Sequence, residues 1–205
     1  IGVGGRFKPG VAPDIQETVT VTSVDPERRA VVENIALLNT KHWAFVDLSI
    51  RPPRHNKAGF RVGDSQYITI KRNDISYGDS CDWTAEDWRE KAGTAMSIRC
   101  ADSEIAYNYI KNVEAGIYVG GRNVHVHHNV VTDFSADALR GNGDYLIFEH
   151  NVVANPVKTS ANHDDLFQSF GGPGTIHEGG VLRYNTFLHS TKEHPFRSNS
   201  QGVGM

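Results

Sequence analysis

The sequence predicts an all-β fold: a single-stranded, right-handed parallel β-helix of about seven coils, with an asparagine ladder along one corner. An asparagine followed by apolar residues recurs as Asn108-Tyr109-Ile110, Asn129-Val130-Val131, Asn151-Val152-Val153 and Asn185-Thr186-Phe187, and Asn73-Asp74-Ile75 is a more degenerate copy. These asparagines lie 35, 21, 22 and 34 residues apart. A basal period of 21–22 with two longer intervals is what a solenoid with loop insertions gives. Around each asparagine, apolar and polar residues alternate, so the walls of the coil are strands with one buried face.

Each coil opens on a short strand. The segments Ala58-Gly59-Phe60-Arg61-Val62, Met96-Ser97-Ile98-Arg99, Ala115-Gly116-Ile117-Tyr118, Asp137-Ala138-Leu139-Arg140, Asp164-Asp165-Leu166-Phe167 and His194-Pro195-Phe196-Arg197 align with one another. A tight turn leads to the second strand, where Val124 and Val126 alternate with His125 and His127, and Leu146 and Phe148 with Ile147 and Glu149. The asparagine then breaks the alternation, the chain bends, and a third short strand resumes at Val131 or Val153 before a loop of variable length. Stacked coils sit about 4.8 Å apart, so repeated asparagines would form a hydrogen-bonded side-chain column.

The 205 residues read as one domain, 1–205, with no linker, and the open ends predict a piece of a longer protein. Net charge is −3, which gives no electrostatic footprint for nucleic acid. No apolar run approaches the ~20 residues of a membrane span. Cys81 and Cys100 are too few for a disulfide framework and read as buried or idle thiols. His125, His127 and His128 have a metal-like spacing, but Glu149 and Arg183 share the His127 column, and a solvated polar ladder accounts for them better than zinc. The insertion Asp79–Gly93, with Trp83 and Trp88, reads as a loop with a short helix packed over the sheet of opening strands.

The asparagine corner and the long loops before one strand resemble the pectate-lyase-like β-helix superfamily over roughly residues 30–205. The resemblance implies a substrate groove on the sheet of opening strands, here Phe60, Ile98, Ile117, Leu139, Leu166 and Phe196. Outward positions on that sheet are Arg61, Arg99, Tyr118, Arg140, Phe167 (or Gln168, if the strand slips) and Arg197. Guanidinium forks bind carboxylates and rings stack on sugar faces, so this ridge suits an extended acidic polysaccharide.

The densest chemical cluster is Asn162-His163-Asp164-Asp165-Leu166-Phe167-Gln168. Aligning Leu139 with Leu166 stacks Asp137 on Asp164, with Asp165 beside them, and stacked carboxylates raise a pKa or demand a cation. Two chemistries fit. The cluster resembles the centre of polygalacturonase-type hydrolases, in which an Asp faces an Asp pair on the next coil and a His one coil beyond. Asp137, Asp164, Asp165 and His194 take those places, although the residues flanking them depart from that family. It also resembles uronate lyases, which implies Ca²⁺ held by Asp137, Asp164 and Asp165, with Lys158 or Arg140 as the base. The His-Asp-Asp-Leu-Phe-Gln string is similar to one in uncharacterised bacterial and phage β-helix proteins. The expected protein is therefore a lyase or hydrolase of a uronate polymer, found outside the cell or at its surface. The alternative is a glycan-binding adhesin, or a virion spike that would be a homotrimer.

Overall fold

The computed structural model describes residues 17–25, 27–53, 57–79, 82–159, 164–171, 176–189, 196, 198, 200 and 202–204. These residues form an all-β parallel solenoid in which every strand pairing is parallel. Its two sheets wrap one apolar core. The second sheet stacks seven short strands: Val31–Val32, Ser49–Ile50, Asp74–Ser76, Tyr109–Val113, Val130–Phe134, Val152–Pro156 and Thr186–Phe187. Each comes from a different coil. Among the described residues no helix is long and apolar enough to cross a membrane.

The first sheet holds a surprise. The opening and second strands of a coil are continuous through the turn between them, giving Phe60–Lys71, Thr94–Ala106 and Ala115–His127. A residue of left-handed φ stacks at the turn in each of these coils, Tyr67 (56°), Asp102 (48°), Asn123 (53°) and Tyr145 (52°), and Asp64 (45°) adds a second in the Phe60–Lys71 strand. Because neighbouring coils turn at the same register, the backbone ladder is carried around the corner; Arg122 pairs with both Ala101 and Asp144. At the adjoining Gly121, φ is +105°, and a Cβ would meet the Cys100 carbonyl oxygen at 2.0 Å, so a side chain is excluded there.

The asparagine column forms as the period predicts. Asn73, Asn108, Asn129, Asn151 and Asn185 stack, and each Oδ1 from Asn108 onward accepts both the backbone and side-chain N–H of the rung before it, at 2.9–3.0 Å. The coil before Asn73 has Leu48 at this position, and Leu48 N donates to Asn73 Oδ1 at 3.0 Å. The residue before each rung takes left-handed φ: Asp47, Arg72, Tyr107, His128, His150 and Tyr184. That costs of order 1 kcal/mol per residue, which the buried amide column offsets.

Register corrects three alignments of the opening strands. The inward column is Phe60, Met96, Ile117, Leu139, Phe167 and Val203. Met96 replaces Ile98 because both face inward, two residues apart, and alternation alone cannot separate them. Phe167, not Leu166, faces Leu139; both are buried, since the chain bends between the loop and the strand. Phe196 is not on this sheet. Its carbonyl accepts from Lys158 N at 2.7 Å, and its ring packs on the cluster of Trp88, Ala92 and Val157. The helix Ala85–Lys91, capped by Thr84 and Asp87, accordingly covers the corner beyond the second sheet, not the first sheet. Cys100 is buried, and Cys81 lies outside the described residues.

Candidate functional site

The outer face of the first sheet carries an open groove of about 890 Å³, and Arg61, Arg99, Tyr118, Arg140 and Asn142 are among its walls. Strand pairing sets Arg61, Ser97, Tyr118, Arg140 and Gln168 in one column across successive strands. Arg99 stands two residues further along, level with Gly120 and Asn142, so it shares the face but not the column. Its guanidinium pairs with Asp64 at 2.9 Å, with both side chains largely in solvent. Phe167 faces inward, stacks edge-on against Phe148 and belongs to the core. Gln168 takes the outward place.

Arg140 organises the far end of the groove. Its guanidinium lies 4.3 Å from the Tyr118 ring and 5.1 Å from the Phe170 ring. Nη2 donates to Asp137 Oδ2 and to Gln168 Oε1, the latter at 2.6 Å, while the buried Nε has no partner. Asp137 also accepts from Tyr118 Oη at 3.3 Å and, through Oδ1, from the Asp165 backbone N–H at 3.3 Å. Gln168 Nε2 donates to Asp165 Oδ2 at 2.9 Å. Burial pushes the Tyr118 phenol well above its ordinary range, and the neighbouring Asp137 carboxylate adds to this, so Tyr118 is a neutral hydrogen-bond donor.

The three carboxylates do not form one set. Asp137 stands opposite Asp165, whereas Asp164 turns to Lys158 Nζ at 3.1 Å and to Ser198 Oγ. All three are buried. Their oxygens are held by Arg140, Gln168, Lys158 and Ser198, so these residues do not fit a shared Ca²⁺ ion. Among the described residues no group of three or more His, Cys, Asp or Glu is placed to hold a metal. His163, His194 and Arg197 lie outside the described residues.

Two residues at this end, Asn142 in the groove wall and Phe170 beside Arg140, escaped the sequence reading. Asn142 and Phe170 continue the outward alternation from Arg140 and Gln168, and Asn142 Oδ1 accepts from Phe170 N at 3.1 Å. Counting two residues onward would have found both.

A second constellation lies at the asparagine corner. Tyr107, His128, His150 and Tyr184 form a column of near-parallel rings with centroids 4.8, 5.0 and 5.2 Å apart. His127 Nε2 meets Glu104 Oε1 at 3.0 Å, and its Nδ1 meets His128 Nδ1 at 2.9 Å. A carboxylate only accepts, so His127 carries its proton on Nε2, and Nδ1 accepts from His128. Burial lowers the His127 pKa below its ordinary value. His125 bonds Glu149 at 2.8 Å, and Glu149 bonds Arg183 at 2.6 Å. Glu149 pairs with His127, and Arg183 with Glu149, along the sheet. This is the polar ladder that the shared column implies.

Comparison with protein-family models, with curated proteins and with solved structures found no match to this chain.

Proposed function

We propose that the groove binds an acidic polysaccharide. One observation carries the reading: Arg61, Arg99, Tyr118 and Arg140 line a single open groove that runs across the strands. A glycan lying along the solenoid axis meets equivalent positions at each strand spacing of about 4.8 Å, with Arg61, Tyr118 and Arg140 in one column beneath it and Arg99 beside that column. We infer that the solenoid is a right-handed β-helix of the pectate-lyase-like kind. Support for the hand comes from the rule that parallel strands of one sheet are joined by right-handed crossovers.

Recognition without turnover is favoured over cleavage. General acid–base hydrolysis needs one protonated and one free carboxylate flanking the bond. Here Asp137 is engaged by Arg140 and Tyr118, and Asp165 by Gln168. Asp164 is turned toward Lys158. A role in glycan binding at a cell surface or in a virion spike follows from this reading. Incubation with a panel of acidic polysaccharides tests it, with binding followed by calorimetry and products by unsaturated-sugar absorbance and reducing ends. Saturable binding without products is expected. No binding to any acidic glycan refutes the reading, and product formation moves the assignment to an enzyme.

A further inference from the structure

The groove is electrostatically uneven along its length. At the end of the earlier coils, Arg61 is exposed and its side chain has no hydrogen bond or ion pair among the described residues. Arg99 shares its charge with Asp64 in an exposed pair that gains little in water. Counting Arg61, Arg99 and Asp64, this end carries a net charge of about +1 that a ligand can use. Three strand spacings on, roughly 14 Å away, the character reverses. Arg140 is matched by Asp137, Asp165 adds a second carboxylate, and the remaining polar groups are the neutral Tyr118 phenol and the Gln168 and Asn142 amides. The Tyr118 and Phe170 rings stand on either side of the guanidinium.

Resting on the reading of the groove as an acidic-glycan site, we propose that its ligand is a heteropolysaccharide. An acidic sugar binds at Arg61 and Arg99, and an uncharged, hydroxyl-rich sugar binds at Tyr118, Arg140, Asn142 and Gln168. Extended pyranose chains repeat on a length close to one strand spacing, so Arg61 and Arg140 are about three sugars apart. A second carboxylate at the Asp137–Asp165 end meets like charge in a partly dried site and is disfavoured. Hydroxyl groups, in contrast, are served by the Gln168 and Asn142 amides and the Tyr118 phenol. A homopolymer of uronates places a charge on every sugar and fits the first end only.

The test compares three probes on the intact chain: gellan oligosaccharides, with one glucuronate per tetrasaccharide repeat; the same oligosaccharides after carboxyl reduction; and polygalacturonate oligomers of similar length. The expected order is gellan tightest, with the other two weaker by about ten-fold or more. Arg61→Gln, at an exposed position, should weaken gellan binding about ten-fold and leave the reduced form unchanged. Gln168→Ala should weaken both forms alike. Polygalacturonate binding as tightly as gellan overturns the proposal yet keeps the acidic-glycan reading. Equal affinity for native and reduced gellan overturns both, as does an absence of binding to every probe.

Discussion

Replacing Asn129 by alanine tests whether the asparagine column holds the coils together. Asn129 is fully buried, and its side chain makes five hydrogen bonds. Oδ1 accepts from Asn108 N (3.0 Å) and Asn108 Nδ2 (2.9 Å); Nδ2 donates to Ile105 O (2.9 Å), His127 O (3.0 Å) and Asn151 Oδ1 (3.0 Å). After truncation, Asn108 Nδ2 keeps Ile70 O, and Asn151 Oδ1 keeps the Asn129 backbone N–H. The Asn108 backbone N–H loses its side-chain acceptor in the dry core, and two carbonyls lose a donor. A buried orphan donor costs about 1–3 kcal/mol and the weakened carbonyls add to it, so the expected loss is about 3–4 kcal/mol. Asn185 sits on an outer, half-exposed rung where water can reach, and its truncation should cost about 1 kcal/mol. Urea unfolding at constant m reads the difference, and a fall in m would reveal coils melting separately. Asn129→Asp separates hydrogen bonding from packing. It keeps the volume but faces three acceptor oxygens with a carboxylate, so its penalty should ease as the pH falls. If Asn129→Ala costs no more than Asn185→Ala, the column is not what joins the coils.

Phe167→Ala should destabilise by about 3–5 kcal/mol as a core truncation, while Gln168→Ala should cost about 1 kcal/mol or less, read by chemical denaturation; the opposite order refutes the strand register. Asp164→Asn should lower stability by about 1–2 kcal/mol, because Ser198 and Lys158 lose a charged acceptor, and should leave glycan affinity unchanged in a titration, since Asp164 faces away from the groove. Acidification should weaken the fold in two windows. The buried His127 binds its proton less readily folded than unfolded, so stability is full above about pH 6.5 and falls as the pH drops through that value toward the lower folded pKa. Burial opposes the Glu104 charge, but the His127 hydrogen bond and the Lys71 ammonium outweigh it and lower its pKa, so its contribution is lost only at still lower pH, below the ordinary carboxylate value. Lys71, Tyr107, His125 and His128 also face this pair. Melting temperature against pH for the native chain and for His127→Gln checks the point: the substitution should flatten the upper window.

The fold was legible because a solenoid repeats its physics. One asparagine in a loop says little, but five in the same local pattern, two of whose intervals share a basal period, state that the same amide environment recurs, and alternation gives the inward face of each strand. What alternation leaves open is translation by two residues, which exchanges Met96 for Ile98 without changing any side chain's face. The slip at Leu166 and Phe167 had a different cause. Two buried apolar residues follow one another where the loop enters the sheet, and nothing local says which of them starts the ladder. The continuous strands through the turn were equally hidden. Tyr67, Asp102, Asn123 and Tyr145 share a left-handed backbone but no residue type, so only their stacking reveals the corner.

The acid cluster shows where such reading stops. Proximity of Asp137 to the acids of the next coil was legible, but the one-residue slip decides which of them it meets. With Asp165 opposite Asp137, the neighbour two residues before Phe167 enters the groove network through Gln168, and Asp164 is left to Lys158. The same shift puts Gln168 beside Arg140, and this places an amide rather than a ring on the groove floor. A site read as three carboxylates awaiting a cation thereby becomes a guanidinium matched by one acid and flanked by two rings. That arrangement is cross-linked in place, since every charged group there already has a partner of opposite sign or an amide. The groove's unspent charge sits at Arg61, three strands away, and it is there that an anionic ligand gains most.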